Sequence, residues 1–269
     1  MKILSVPSAV AALWATGAYA ATLTQVTNFG TNPTNTQMWL YKPDKLQRYA
    51  SSHCSRNIAS RIVDSATPPL LVAMHYCTGT AQAYYSGTEY HTLADKYGFI
   101  VIYPNAPDPG GCWDVHTNAT LTHNAGGDSL GIASMVRYAI STYKVDSTRV
   151  FATGTSSGAM MVCGSLTSPF YSPHYLLPQT SVLMGAYPDL FAAGSAFAGV
   201  PYACFAGSSL WNSQCANGQL TKTAQQWGDL VRSGYPGYTG TRPRVQVSFV
   251  SGHCKHFRPR PCLDLARNS

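Results

Sequence analysis

Apolar residues along this chain come in short unbroken runs set between stretches with a different rhythm. Leu70-Leu71-Val72-Ala73-Met74 and Phe99-Ile100-Val101-Ile102-Tyr103 are continuous apolar runs of strand length. That is the pattern of strands buried on both faces, and Pro104 is expected to stop the second. Between them, Glu89 to Tyr97 reads as a helix ended by Gly98. Asp128 to Tyr143 carries Ile132, Met135, Val136, Ala139 and Ile140 at helical spacing. It leads through Asp146 to Arg149 into a third β-rich run, Val150 to Thr153. Upstream, Leu23 to Val26 and Gln37 to Tyr41 form a predicted hairpin around the turn-rich stretch Gly30 to Asn35. Strand, helix, strand, helix, strand predicts an α/β fold with a mostly parallel, doubly wound sheet.

Chemistry enters where the third run ends. Gly154-Thr155-Ser156-Ser157-Gly158 is a Gly-x-Ser-x-Gly pentapeptide, followed by the helix-compatible Ala159-Met160-Met161. A strand feeding such a turn places the middle serine in a strained conformation that tolerates only small neighbours two positions away. Ser156 is therefore the candidate nucleophile, and the Ser157 N–H at the following helix start is a candidate oxyanion donor. A second donor is expected from the loop His75-Tyr76-Cys77-Thr78-Gly79, at the carboxyl end of the Leu70–Met74 strand, with Cys77 or Thr78 supplying it. His75 itself reads as a structural histidine bonded to backbone rather than as a base. Trp113, in the Pro107 to Asp114 loop, is read either as a wall of a substrate cleft or as core. Asn118-Ala119-Thr120 is an N-glycosylation sequon in a predicted loop.

Composition changes the picture in two places. Residues 1–20 read as a secretory leader, with Lys2, an apolar core from Ile3 to Trp14 and the cleavage-type tripeptide Ala18-Tyr19-Ala20. No later run is long enough for a membrane span, so a secreted, extracellular domain is expected. The net charge of +7 invites a nucleic-acid reading. Lys2 leaves with the leader, however, and residues 47–65 and 248–269 hold +2 and +3 of the remainder. No basic stripe with interleaved aromatics remains, which excludes nucleic-acid binding. Seventeen tyrosines and a single glutamate, Glu89, suit a protein working on neutral, hydroxyl-rich material.

His75-Tyr76-Cys77-Thr78-Gly79-Thr80, Gly110-Gly111-Cys112-Trp113-Asp114 and Gly154 to Met161 together resemble the fungal acetylxylan esterases. These belong to carbohydrate esterase family 1, related to feruloyl esterases and polyhydroxyalkanoate depolymerases. Ala186 to Gly194, Trp211-Asn212-Ser213 and Gly237 to Pro243 extend the likeness, which covers residues 21–46, 67–161 and 182–247. The resemblance implies an α/β-hydrolase fold, secretion, no metal, and removal of O-acetyl groups from xylan, with Ser156 as nucleophile; no cofactor and a monomer are expected besides. The alternative it leaves open is feruloyl ester hydrolysis. Within this pattern Cys77, Cys112, Cys204 and Cys215 are expected to pair as Cys77–Cys112 and Cys204–Cys215.

Three segments depart from the family pattern inside a domain otherwise spanning residues 21–247. Residues 47–65 and 162–181 are insertions, and 248–269 form an aberrant tail that replaces the family's acidic and histidine triad members. Cys54, Cys163, Cys254 and Cys262 all fall in these segments. Downstream of Ser156 the histidines are His174, His253 and His256, all in the departing segments. Asp189 and Asp229 read as helix-cap or surface residues, and Asp264 stands near the chain end. No general base is assigned, and a catalytically dead product is the other reading of the chain. Our hypothesis is that the insertions are translated intervening sequence and the tail a shifted frame. Transcript sequencing checks this, and spliced messages that still encode Gln47 to Ser65 would sink it.

Overall fold

The computed structural model describes residues 21–46, 67–162 and 182–248. The leader, most of both insertions and nearly all of the tail lie outside the described residues. The chain opens with the expected antiparallel pair β1 (Thr24–Val26) and β2 (Gln37–Tyr41), then β3 (Leu70–Met74). Helices α1 (Ala81–Gly87) and α2 (Tyr90–Tyr97) lead to β4 (Ile100–Asn105). A short α3 (Asn118–Leu121) and the long α4 (Gly127–Tyr143) precede β5 (Val150–Thr155). Next come α5 (Ser157–Val162), α6 (Val182–Ala186) and β6 (Ala193–Phe197). Helices α7 (Ser213–Ala216) and α8 (Ala224–Ser233) and strand β7 (Arg244–Ser248) complete the described elements.

Those strands form one sheet in the order β1-β2-β4-β3-β5-β6-β7. β4, β3, β5, β6 and β7 run parallel, while β1 and β2 are antiparallel additions at one edge. The apolar runs are unbroken because both sheet faces are covered. Leu70, Val72 and Met74 of β3, with Ile100 and Ile102 of β4, pack with Ile132, Met135, Val136 and Ala139 of α4. The alternate residues Ala73, Val101 and Tyr103 pack with Ala81 and Tyr84 of α1 and Ala94 of α2. Period-two alternation thus sends each strand into two cores. Helices α1 and α2 do not cover the far side of the sheet, and Phe151 and Phe197 there keep 37% and 38% of their surface exposed.

Pro104 does not end β4, contrary to expectation. It pairs with Met38 of β2 at a level where β3 has left the ladder, since β3 pairs only with Ile100 to Ile102. A missing N–H is tolerated where one neighbour remains. Asn118 opens α3 instead of sitting in a loop, behind the N-cap Thr117, and its side chain is exposed. The carboxyl end of α2 is as read: Gly98 is left-handed and its N–H closes on Ala94 O. Val162, the first residue of the second insertion, is the buried last residue of α5.

Both expected disulfides are formed, Cys77–Cys112 and Cys204–Cys215. The first ties the loop after β3 to the loop after β4 across 35 residues of sequence. The double substitution Cys77→Ser, Cys112→Ser is expected to lower the unfolding free energy by about 2–4 kcal/mol. Urea denaturation of the oxidised and substituted proteins checks this.

Candidate active site

Strand β5 delivers Ser156 to the carboxyl end of the sheet, and the backbone turns there at φ +56° before α5 begins. Positive φ is uncommon for a residue with a Cβ and needs support from its surroundings. Two backbone bonds supply it: the Ser156 N–H donates to Phe197 O at 2.9 Å, and Ser156 O accepts from Met160 N–H at 2.9 Å. The flanking glycines are steric necessities. A Cβ on Gly154 would lie 2.4 Å from the Gly158 carbonyl, and one on Gly158 would lie 2.4 Å from Met74 O. Strand, turn and helix are therefore pressed together with no room for a methyl group. Ser156 itself remains half-buried, within reach of a ligand.

The loop after β3 faces this turn. Thr78 adopts φ +65° and its N–H donates to Gly110 O at 2.8 Å, which removes it as an oxyanion donor. Among the described residues the Cys77 N–H has no acceptor. Ser157, as the first residue of α5, likewise has a free amide. Of the two amides, Thr78 is committed to Gly110 O and Cys77 is not.

His75 is the clamp of this loop. Its Nδ1–H donates to Tyr76 O at 2.8 Å, and Nε2 accepts from the Ala106 N–H at 3.1 Å. Burial pushes its pKa down, consistent with a neutral ring that accepts at Nε2. Both nitrogens are occupied by backbone, so the structural reading of His75 holds. Trp113 is not a cleft wall: it is 2% exposed, and its indole N–H donates to His75 O at 2.8 Å. The ring is spent bracing the loop, leaving no face for a substrate.

Asp128 anchors the same loop from α4. Its Oδ2 accepts the Asp114 N–H at 2.8 Å. Asp114 in turn accepts from the N–H groups of His116 and Thr117 and from the Thr117 hydroxyl. Burial raises the Asp128 pKa to about 6, opposed by the Asp114 N–H and the Thr34 hydroxyl and reinforced by the charges of Asp114 and Asp108. Sequence reading passed over Asp128. The available signal was an acidic residue in the first turn of a helix, which usually marks nothing more than the helix dipole.

No described residue offers Ser156 a base. Its side chain forms no hydrogen bond to a described residue. His91 lies tilted against Tyr85, and His123 stacks on Tyr235 while bonding Ala186 O. His116 lies beside Asp114. Asp189 is an exposed residue 3.9 Å from His123, and Asp229 is bonded to Arg232 and Gln225 on the surface of α8. His174, His253, His256 and Asp264 lie outside the described residues. Among the described residues no group of His, Cys, Asp and Glu is arranged to hold a metal. None of their helices is long and apolar enough to cross a membrane.

The family model described as Esterase PHB depolymerase matches residues 63–173. An acetyl xylan esterase from Aspergillus awamori superposes with a TM-score of 0.69 and 43% identity, covering 84% of this chain and 71% of that one. The chain belongs to the fungal acetylxylan esterase family. Acetylxylan esterase A of Emericella nidulans is 46% identical over 229 residues, covering 84% of this chain and 64% of its own. Feruloyl esterase B of Talaromyces funiculosus is 46% identical over 233 residues, covering 85% and 56%. The chain spans about half to two thirds of the length of the curated relatives it matches. Membership fixes the α/β-hydrolase type of the sheet described above.

The Asp128 anchor gives a pH signature. Its folded pKa of about 6 stands above the ordinary 3.8, so the folded protein binds the extra proton between those values. Stability from this group is fully present below about pH 4 and is lost as pH rises through about 6. Relative to Asp128→Asn, the wild-type unfolding free energy is expected to fall by up to about 3 kcal/mol across that window. Chemical denaturation of both proteins from acid to neutral pH checks it.

Proposed function

We propose that this chain is a secreted carboxylic ester hydrolase that removes O-acetyl groups from xylan by acyl transfer to Ser156. The observation that carries this reading is the serine held at φ +56° beside a loop with an uncommitted amide. Ser156 Oγ attacks the ester carbonyl, and the N–H groups of Cys77 and Ser157 receive the oxyanion. The sugar alcohol departs with a proton, acetyl-serine remains, and water releases acetate. A histidine ordinarily shuttles these protons, and no described residue stands in that place, so turnover is expected to be slow. Secretion is supported by the leader-like residues 1–20, and Asn118, exposed at the start of α3, is the proposed glycan acceptor.

A feruloyl ester is the second substrate class, favoured by the 46% identity to feruloyl esterase B. A catalytically dead binding protein is the reading favoured by the lack of a base among the described residues.

Incubation with p-nitrophenyl acetate followed by peptide mapping separates these readings. An acetyl adduct is expected on Ser156, persistent because deacylation also needs the base, and absent from Ser156→Ala. An adduct on another residue, or none, defeats the proposal. Faster acylation by methyl ferulate than by the acetyl ester transfers it to the second substrate class.

A further inference from the structure

A cleft of about 340 Å³ opens beside the disulfide-braced loop. Its walls include Thr34, Asp108, Cys112, His116, Asp128 and Leu210. The loop after β4 supplies one side and the loop after β6 the other, joined by a bond from the Gly207 N–H to His116 O. Both loops leave the carboxyl ends of their strands, the end of the sheet that carries Ser156.

The polar atoms of this cleft are unusual. Asp128 Oδ1, Thr34 Oγ1 and His116 Nδ1 are buried, and none has a hydrogen-bond partner. Asp128 is 1% exposed, and the loop amide uses only its other oxygen. Thr34's hydroxyl lies close enough to influence Asp128 without a well-directed bond to it. His116 Nδ1 is 3.1 Å from Asp114 Oδ1, again without hydrogen-bond alignment. Buried polar groups are almost always satisfied, and the approaches of Thr34 to Asp128 and of His116 to Asp114 satisfy these atoms only in part, which leaves them hydrogen-bonding capacity for an occupant of the cleft. The cleft is far larger than a single water requires.

Chemistry narrows the occupant. The carboxylates of Asp108, Asp114 and Asp128 repel an anion. A bound metal is disfavoured because the carboxylates and His116 are not arranged as a ligand set. What fits is a neutral molecule with several hydroxyl groups, each able to donate to a carboxylate and accept from a threonine or imidazole. Pro107 and Leu210 add apolar wall for the C–H face of a ring.

We propose that this cleft is a subsite for one sugar unit of a neutral glycan, with Asp128 Oδ1, Thr34 Oγ1 and His116 Nδ1 receiving its ring hydroxyls. The assignment rests on the reading of the protein as a glycan esterase and names where the unesterified part of that substrate sits. It also gives Asp128 two tasks, one oxygen holding the loop and the other meeting the sugar.

The test is binding, not turnover. Unacetylated xylohexaose, which offers no ester to Ser156, is titrated calorimetrically into the full chain and into the variants Asp128→Asn and Thr34→Val. Asp128→Asn keeps an oxygen for the Asp114 N–H and turns a donor into the cleft. Thr34→Val is nearly isosteric and removes only the hydroxyl beside Asp128, and thermal unfolding checks that it is folded. Saturable binding is expected for the wild type, weakened roughly tenfold or more by Asp128→Asn and about threefold by Thr34→Val. No binding by the wild type, or unchanged binding by the well-folded Thr34→Val, overturns the subsite. Acetylation of Ser156 by p-nitrophenyl acetate is read separately, so loss of the esterase reading and loss of the subsite register in different assays.

Discussion

The fold turns on one close approach, the backbone of Gly158 against the carbonyls of Met74 and His75. A Cβ at that position would come within 2.4 Å of Met74 O, so α5 packs on the end of β3 as backbone on backbone. This contact sets the height of the helix start above the sheet and hence the position of the Ser157 amide. It also brings the loop after β3 beside Ser156. The positive φ of Ser156 is what allows strand and helix to meet at this distance. Its strain is carried by the bond to Phe197 O, so β6 holds Ser156 from the other side.

The parts of this design visible in sequence were those with a strong local code. Leu70–Met74 was placed to the residue because unbroken apolar runs of that length have few other uses in a sheet covered on both faces. Gly154 and Gly158 were legible because the turn admits nothing larger. β6 was missed because Ala193-Gly194-Ser195-Ala196-Phe197 has almost no β-branched character. It is a strand through its pairing with β5, a tertiary cause that no local window contains. α1 escaped for a related reason: its signal is the N-cap Thr80, and the apolar face behind it is two residues, Ala81 and Tyr84.

The site divides along the same line. Ser156 and the Cys77–Cys112 pairing were readable, the first from its pentapeptide and the second through family likeness. Which amide faced the serine was not readable. It depends on Gly110 O accepting from Thr78, a contact made between loops 32 residues apart in the chain. Trp113 shows the cost of reading side chains singly. A lone aromatic in a loop suits a cleft equally well, and only the indole bond to His75 O decides that it is a brace.

The disulfide between Cys77 and Cys112 has a consequence for the life history of the chain. It braces the loop that follows β3, so the elbow and that loop are completed by different events. The elbow needs β5 and α5 folded on β3, with β6 alongside to accept the Ser156 N–H. The loop needs, in addition, an oxidising environment, since thiols stay reduced in the cytosol. In a reducing environment the chain would therefore hold its serine elbow with that loop unstapled. Oxidation acts as a separate maturation step, later than the folding that forms the elbow.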